Sequence, residues 1–253
     1  DFDQAINIPA IERAIGDRGL DNPDWMRKAP ATKREKVAVV GGGPAGLSAA
    51  YYLGRQGYAV TIFEADAMLG GTLRWGIPEY RLPNAVLDRV VAQIVESGPV
   101  TVKAGSALGR DVDLSKLERE FAAIFIGTGL ARSRPLGIPG EEARGVERGL
   151  DFLRKVNGGE PVDPGRTVAV VGGGNTAMDV ARCARRAGAA VTVVYRRTMN
   201  EMPAIRDEIE EAEHEGVRFR FLAAPKSVTR AASGLLTVRF QQMKLGEPDE
   251  SGR

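Results

Sequence analysis

The heptapeptide VAVVGGG stands at 37–43 and again at 168–174. Each copy leads a short apolar stretch into a glycine-rich turn and then into helix-forming sequence. Glycines at this spacing let the backbone turn tightly and come close to a diphosphate, whose charge is met by the free N–H groups and positive dipole end of the helix. The chemistry open to such residues is dinucleotide binding. Two copies in one chain imply two dinucleotides, and an adjacent pair suits hydride transfer between a nicotinamide and a flavin.

In the first copy Gly41 permits the tight turn, Gly43 leaves room for the pyrophosphate, and Gly46 lets the helix pack closely on the strand. Glu64, at the end of the next strand, is placed to accept hydrogen bonds from ribose hydroxyls. That selects a dinucleotide without a 2′-phosphate, either FAD or NAD. The corresponding positions of the second copy are Gly172, Gly174 and Ala177, alanine being an accepted variant. GYAVTIFE (57–64) overlays GAAVTVVY (188–195) without a gap, so Tyr195 replaces the acid and Arg196-Arg197 follow. A carboxylate would repel a 2′-phosphate, whereas guanidinium groups bind it through charge-assisted hydrogen bonds. The second site therefore reads as one for NADP, with NAD possible; a solvated strand end is the alternative reading of the two arginines.

The elements that must position these residues follow from the hydrophobic pattern. Residues 1–34 read as an extension: a docking helix starting at Asn7-Ile8-Pro9, with an apolar stripe of Ile11, Ala14 and Ile15, then a linker with Pro23, Pro30 and the charged run 33–36. A continuous apolar strand at 37–40 suits a parallel sheet covered on both faces. Helix 44–56, strand 59–63, a glycine- and proline-rich loop 69–83, helix 84–96 and a strand near 100–103 follow. The run 121–126 is expected as another buried strand ending at Gly127-Thr128-Gly129. Residues 132–149, rich in proline and glycine, read as a crossover between domains. The second unit opens at Thr167 and repeats strand, turn, helix and strand. An amphipathic helix (203–215), strand candidates at 217–222 and 236–245, and a polar ending in ESGR complete it. The fold class expected is α/β, with two Rossmann-like nucleotide-binding domains. The expected division is an N-terminal extension (1–34), an FAD-binding domain (35–145) and an NAD(P)H-binding domain (146–253).

Composition narrows the function. The 253 residues carry 35 basic and 33 acidic side chains for a net charge of +2, which gives no electrostatic case for nucleic acid or an anionic membrane. No apolar run has the length of a membrane span, and DFDQAINIPA lacks the features of a signal peptide. There is one cysteine, Cys183, and one histidine, His214. A lone cysteine suits a reducing cytoplasm. One of each builds no metal or iron–sulfur site from these residues alone. Cys183, in DVARCARRAG, is expected to be a packed, inert thiol, and His214 a solvated surface residue.

With these residues in view, the chain resembles the small-subunit family of bacterial glutamate synthase. That flavoprotein module is also found in dihydropyrimidine dehydrogenase and some ferredoxin–NADP oxidoreductases. The resemblance runs from INIPAIER through GGGPAG, GGTLRWGIPEYRLP, FIGTGL and GGGNTAMD to YRRTMNEMPA. It implies FAD at Gly43, Pro44, Ala45, Glu64, Gly71, Thr72, Arg81 and the turn Gly127, Thr128 and Gly129. Thr72 stands where leucine is more usual, and Arg81 reads equally as a salt-bridge partner. For NADPH it implies Gly174, Asn175, Thr176, Ala177, Arg196 and Arg197. Relatives usually carry cysteine-rich iron–sulfur motifs before the INIPAIER segment and a flavin-contacting return after the nicotinamide domain. This chain is expected to be a fragment or shortened member without either.

The resemblance thus implies hydride transfer from NADPH to FAD, with electrons passing to an iron–sulfur domain or subunit and a larger catalytic subunit. The hydride step needs no acid–base residue, so no catalytic residue is assigned. An electron-entry subunit of another oxidoreductase, linked to ferredoxin or to aldehyde or pyrimidine chemistry, is the nearest alternative. A flavin monooxygenase and a non-catalytic nucleotide-binding scaffold are further ones. A disulfide reductase requires a redox dithiol, which a single cysteine does not provide.

Overall fold

A computed structural model describes residues 6–22, 25–26, 28–130 and 133–246. Pro23, Arg132 and the closing ESGR lie outside the described residues. The chain forms two compact units, one of residues 1–74 and 82–129, the other of residues 75–81 and 130–253.

The first unit is built on a four-stranded parallel sheet. Its strands are β1 (Lys36–Val40), β2 (Ala59–Phe63), β3 (Val100–Lys103) and β4 (Ala123–Ile126), in the order β3-β2-β1-β4. β1 and β2 are central, and Ala38, Val39 and Ile62 are fully buried, as a parallel strand covered on both faces requires. Helix α1 (Ile8–Leu20) starts at Asn7, whose side chain accepts a hydrogen bond from the Ala10 amide. Its apolar stripe is exposed at Ile11 and Ile15. Its C-terminal end is tied down where Gln93 donates to the Leu20 carbonyl and Arg89 pairs with Asp21. Helices α2 (Pro44–Arg55), α3 (Thr72–Trp75), α4 (Asn84–Glu96) and α5 (Leu114–Glu120) complete this part of the chain.

The strand expected at 121–126 departs from its reading as buried. It begins at Ala123, and Phe125 and Ile126 remain 39% and 57% exposed. An apolar run signals cover on both faces only when a strand is central, and β4 lies at the sheet edge.

The second unit repeats the design with β5 (Thr167–Val171), β6 (Ala190–Val194) and β7 (Arg218–Arg220), parallel and in that spatial order. Helices α6 (Gly149–Asn157), α7 (Asn175–Arg186) and α8 (Arg206–His214) accompany it. Met178, Leu153, Val193 and Ile209 form the centre of its core. The 217–222 candidate shrinks to the three residues of β7. The 236–245 candidate becomes β9 (Leu236–Gln242), whose antiparallel partner is β8 (Ala223–Arg230). Pro225 and the charges in β8 conceal it as a strand in the sequence, and the ladder is irregular between Pro225 and Ser227.

The units divide after Gly129 rather than near 145. Residues 133–148 pack on the second unit: the Val228 amide donates to the Pro139 carbonyl, and the Leu150 amide donates to the Ser133 hydroxyl. No described helix is long and apolar enough to cross a membrane.

Glycine packing sets a clear stability test. A Cβ on Gly46 would stand 1.8 Å from the Gly41 carbonyl oxygen, whereas one on Gly16 meets nothing within 4 Å. Gly46→Ala is expected to lower stability by about 1–3 kcal/mol through overpacking. Gly16→Ala in α1 is expected to raise it by about 0.5–1 kcal/mol. Urea-denaturation midpoints that shift the same way in both variants would contradict this account.

Candidate nucleotide-binding sites

The first glycine turn is shaped by close backbone approach. Gly41 has φ +103°, and a Cβ there would lie 2.3 Å from the Gly127 carbonyl oxygen. Its amide donates to Phe63, while the Gly127 amide donates to Val40, locking the ends of β1, β2 and β4 together. Helix α2 begins at Gly43 with Pro44 in its first turn and no side-chain cap. Its first amides therefore need another partner. The loop after β2 is laid across this turn. The Gly70 amide donates to the Gly42 carbonyl, and Gly71, at φ +52°, faces Gly43 so closely that a Cβ would be 2.8 Å from its Cα.

Glu64 is buried at the end of β2. One carboxylate oxygen accepts from the Gly42 amide at 2.6 Å, and the other accepts from the Asp66 amide at 2.8 Å. A carboxylate has about four acceptor positions, so Glu64 braces the turn with lone pairs left over. The structure therefore gathers Gly41, Gly43, Ala45, Gly46, Glu64, Gly71 and Gly127 around one helix N-terminus, with Pro44 and Thr72 opening the two helices and Thr128 and Gly129 following Gly127.

Arg74 escaped sequence reasoning. Its guanidinium is buried, donates to the Leu69 carbonyl at 2.7 Å and to Asn84, and pairs with Asp88. It fixes the loop that carries Gly70 and Gly71. An arginine inside TLRW gave no signal that it would be buried.

The second turn is looser. Gly172 has φ +140°, but a Cβ there would lie 3.4 Å from the Ala177 Cβ, an ordinary contact. Ala177, which stands where the first turn has Gly46, is buried. Helix α7 starts at Gly174 without a side-chain cap, and a Cβ on Gly174 would meet nothing within 4 Å. Uncapped amides beside open space suit a pyrophosphate. The Tyr195 ring packs against Gly173, where a Cβ would be 2.7 Å away, and its hydroxyl donates to the Glu201 carbonyl at 2.8 Å. Arg196 is exposed, and Arg197 is half-buried. Asn175 accepts from the Ile205 amide through its side-chain oxygen at 2.8 Å, while Thr176 follows it in the first turn of α7.

Arg81 lies in the second unit, with the rest of residues 75–81. Its guanidinium pairs with Asp179 at 2.9 Å and Glu208 at 2.8 Å. Arg182 pairs with Glu208 and Glu215, and Arg186 also pairs with Glu215. The Tyr80 ring lies against both guanidinium groups, 4.7 Å from Arg182 and 3.8 Å from Arg186. The Asn157 amide donates to the Ile77 carbonyl, fastening the same segment. Burial raises the Asp179 carboxyl despite Arg81 beside it, and burial raises the Tyr80 hydroxyl too. Hydrogen bonds from Arg186 hold Glu215 below the usual glutamate range. Cys183 is buried and its thiol is pushed up to about 11, chiefly by burial, which leaves it protonated and inert. His214 is surface-exposed.

The two sites thus share one scaffold and differ in the charge at the end of the second strand. A profile of the pyridine nucleotide-disulphide oxidoreductase family matches residues 35–250, and the chain belongs to that family. FAD and NADP are the cofactors that go with it. The chain is 41% identical to the NADPH-Fe(3+) oxidoreductase subunit beta of Geobacter sulfurreducens, over 99% of this chain and 38% of that protein. It is 46% identical to the NADP(+)-dependent formate dehydrogenase subunit beta of Moorella thermoacetica, over 88% of this chain and 32% of that one. It is 40% identical to the glutamate synthase [NADPH] small chain of Halomonas elongata, over 98% and 55%. The chain therefore spans only about a third to just over half of these relatives. Among solved structures, Mycobacterium tuberculosis FprA in complex with NADPH shares the fold at a TM-score of 0.67, with 19% identity, covering 82% of this chain and 67% of FprA.

The Glu215 pairs give a pH signature. A carboxyl held low in the folded state stabilises it above the ordinary glutamate range and loses that contribution as pH falls. Asp179, held high, acts in the opposite sense. Glu215→Gln is expected to cost roughly 1–3 kcal/mol near neutral pH and much less in acid. Urea titrations of both proteins across that interval measure this, and a pH-independent difference would refute it.

Proposed function

We propose that this chain is the electron-entry module of a multi-subunit oxidoreductase, taking reducing equivalents from NADPH through FAD to an iron–sulfur centre in a partner domain or subunit. The observation that carries this reading is the inequality of two otherwise equivalent turns. A buried carboxylate, Glu64, closes the first, and an exposed guanidinium, Arg196, follows the second. Among the described residues, no hydrogen bond or ion pair engages the Arg196 side chain. A ribose diol suits the first arrangement and a 2′-phosphate the second.

The chemistry that bound FAD would supply is two-electron acceptance from NADPH and one-electron release to the next carrier. The residues of this chain bind and orient. Gly43, Pro44, Ala45 and the α2 N-terminus hold one pyrophosphate. Gly174, Asn175, Thr176 and Ala177 hold the other. Gly71, Thr72 and Gly127–Gly129 line the flavin side. Arg196 and Arg197 select NADPH. For Arg81, the pairs with Asp179 and Glu208 favour the salt-bridge role over a flavin contact. The relatives named as subunits of NADPH- and NADP(+)-dependent oxidoreductases support a larger partner. The lone, buried cysteine supports a cytoplasmic setting.

Anaerobic stopped-flow on the intact protein tests this, following bleaching of the flavin band with NADPH and with NADH. Fast reduction by NADPH and slow reduction by NADH are expected. Arg196→Gln is expected to lower kcat/KM for NADPH by about 10–100-fold, the loss of a charge-assisted phosphate contact, with NADH unaffected. Absence of bound flavin, or a preference for NADH, would overturn the reading.

A further inference from the structure

The two arginines occupy the start of a loop whose construction the phosphate reading leaves unexplained. After β6 the chain leaves the sheet at Tyr195 and returns to the glycine turn at Ala204 and Ile205. Both ends are pinned to that turn. The Tyr195 ring packs on Gly173, the Ala204 amide donates to the Gly173 carbonyl at 3.1 Å, and the Ile205 amide donates to Asn175 at 2.8 Å. Between these pins Met202 is buried in the core, the Tyr195 hydroxyl donates to the Glu201 carbonyl, and the Glu201 side chain bonds back to Thr198.

The Glu201 carboxylate accepts from the Thr198 amide at 2.9 Å and from the Thr198 hydroxyl at 2.6 Å. The Thr198 hydroxyl in turn accepts from the Asn200 amide. This reciprocal pair caps the short helical turn Met199–Glu201 and fixes the residue that directly follows Arg197. Arg197 is anchored at its other side, where its carbonyl accepts from the Leu222 amide. The Thr198 hydrogen bonds, with a smaller contribution from the Arg197 charge, hold the Glu201 carboxyl low, so it remains an acceptor at neutral pH.

An acid in this loop is unexpected if charge alone decides. A carboxylate near a 2′-phosphate repels it and partly neutralises Arg197. Its presence makes sense if the geometry it imposes outweighs the repulsion. We propose that Glu201 is a positioning residue for nucleotide choice: through Thr198 it holds the Arg196–Arg197 backbone where the guanidinium groups meet an adenosine 2′-phosphate, without touching the ligand itself. This rests on the NADPH reading of the second site.

The test separates geometry from charge. Glutamine keeps an acceptor for the Thr198 bonds but removes the negative charge, whereas alanine removes both. The probes are adenosine 2′,5′-bisphosphate, which carries the phosphate, and 5′-AMP, which does not; binding to the intact protein is measured by calorimetry. Glu201→Ala is expected to weaken the bisphosphate by about tenfold, the size of one charge-assisted hydrogen bond, and to leave 5′-AMP unchanged. Glu201→Gln is expected to bind the bisphosphate at least as tightly as the native protein. Unchanged 5′-AMP binding also reports that Glu201→Ala is folded, and Thr198→Val, which cuts the hydroxyl link from the other end, is expected to lose bisphosphate affinity selectively as well.

Three outcomes would overturn the proposal. If Glu201→Ala and Glu201→Gln both bind the bisphosphate more tightly, Glu201 is a repelling bystander. If Glu201→Ala weakens both probes equally, its role is general stability. If neither variant changes anything, the loop holds itself. Failure of the NADPH reading shows elsewhere, as a native protein that does not discriminate the bisphosphate from 5′-AMP.

Discussion

A helix that presents bare amides to a phosphate must begin hard against the strand that feeds it, and that close approach governs the first unit. Gly46 rests on the Gly41 carbonyl, and Gly41 rests on the Gly127 carbonyl at the end of the neighbouring strand. No side chain fits in either gap. The parallel pairing of β1 with β2 and β4 brings those carbonyls to the turn. Glu64, itself delivered by β2, then braces the Gly42 amide from below. Sheet order, helix position and the binding surface are therefore one constraint seen at three scales.

The second unit meets the same demand with more slack. Its turn carries Ala177, and a Cβ added to Gly172 would lie 3.4 Å from that methyl group, whereas one added to Gly41 would overlap the Gly127 carbonyl. What it adds is electrostatic. Tyr195 takes the acid's place as packing for Gly173, which frees the end of β6 to carry guanidinium groups. Elsewhere in this unit Arg81, Arg182 and Arg186 are absorbed by Asp179, Glu208 and Glu215. Arg182 is buried and its charge is met by these carboxylates, whereas Arg196, just past β6, is exposed.

Much of this was legible in the sequence because it rests on local rules. The repeated apolar strand and glycine turn fixed both nucleotide units, and the observed strand Ala59–Phe63 and helix Asn84–Glu96 coincide with the patterns that foretold them. Asn7 before Pro9 marked the start of α1. The edge position of β4 was not legible, since an apolar run looks the same at an edge as in the middle of a sheet. Strand β8 was hidden by Pro225 and its charges. Thr198 and Glu201 carry a readable capping spacing, but only the folded loop shows the Glu201 carboxylate bonded to the residue that follows Arg197.

The sequence by itself determined that there are two dinucleotide turns of one design, with an acid ending the second strand of one and a tyrosine followed by two arginines ending that of the other. Periodicity and glycine spacing are properties of neighbouring residues, and they survive without tertiary context. The tertiary structure alone decided how particular charges are spent. Arg74 fixes a loop and Arg81 is bound up with Asp179 and Glu208, while Arg196 faces solvent. All three are arginines in polar or glycine-rich sequence. The energy of each is set by burial and by partners distant along the chain, which only folding brings within reach.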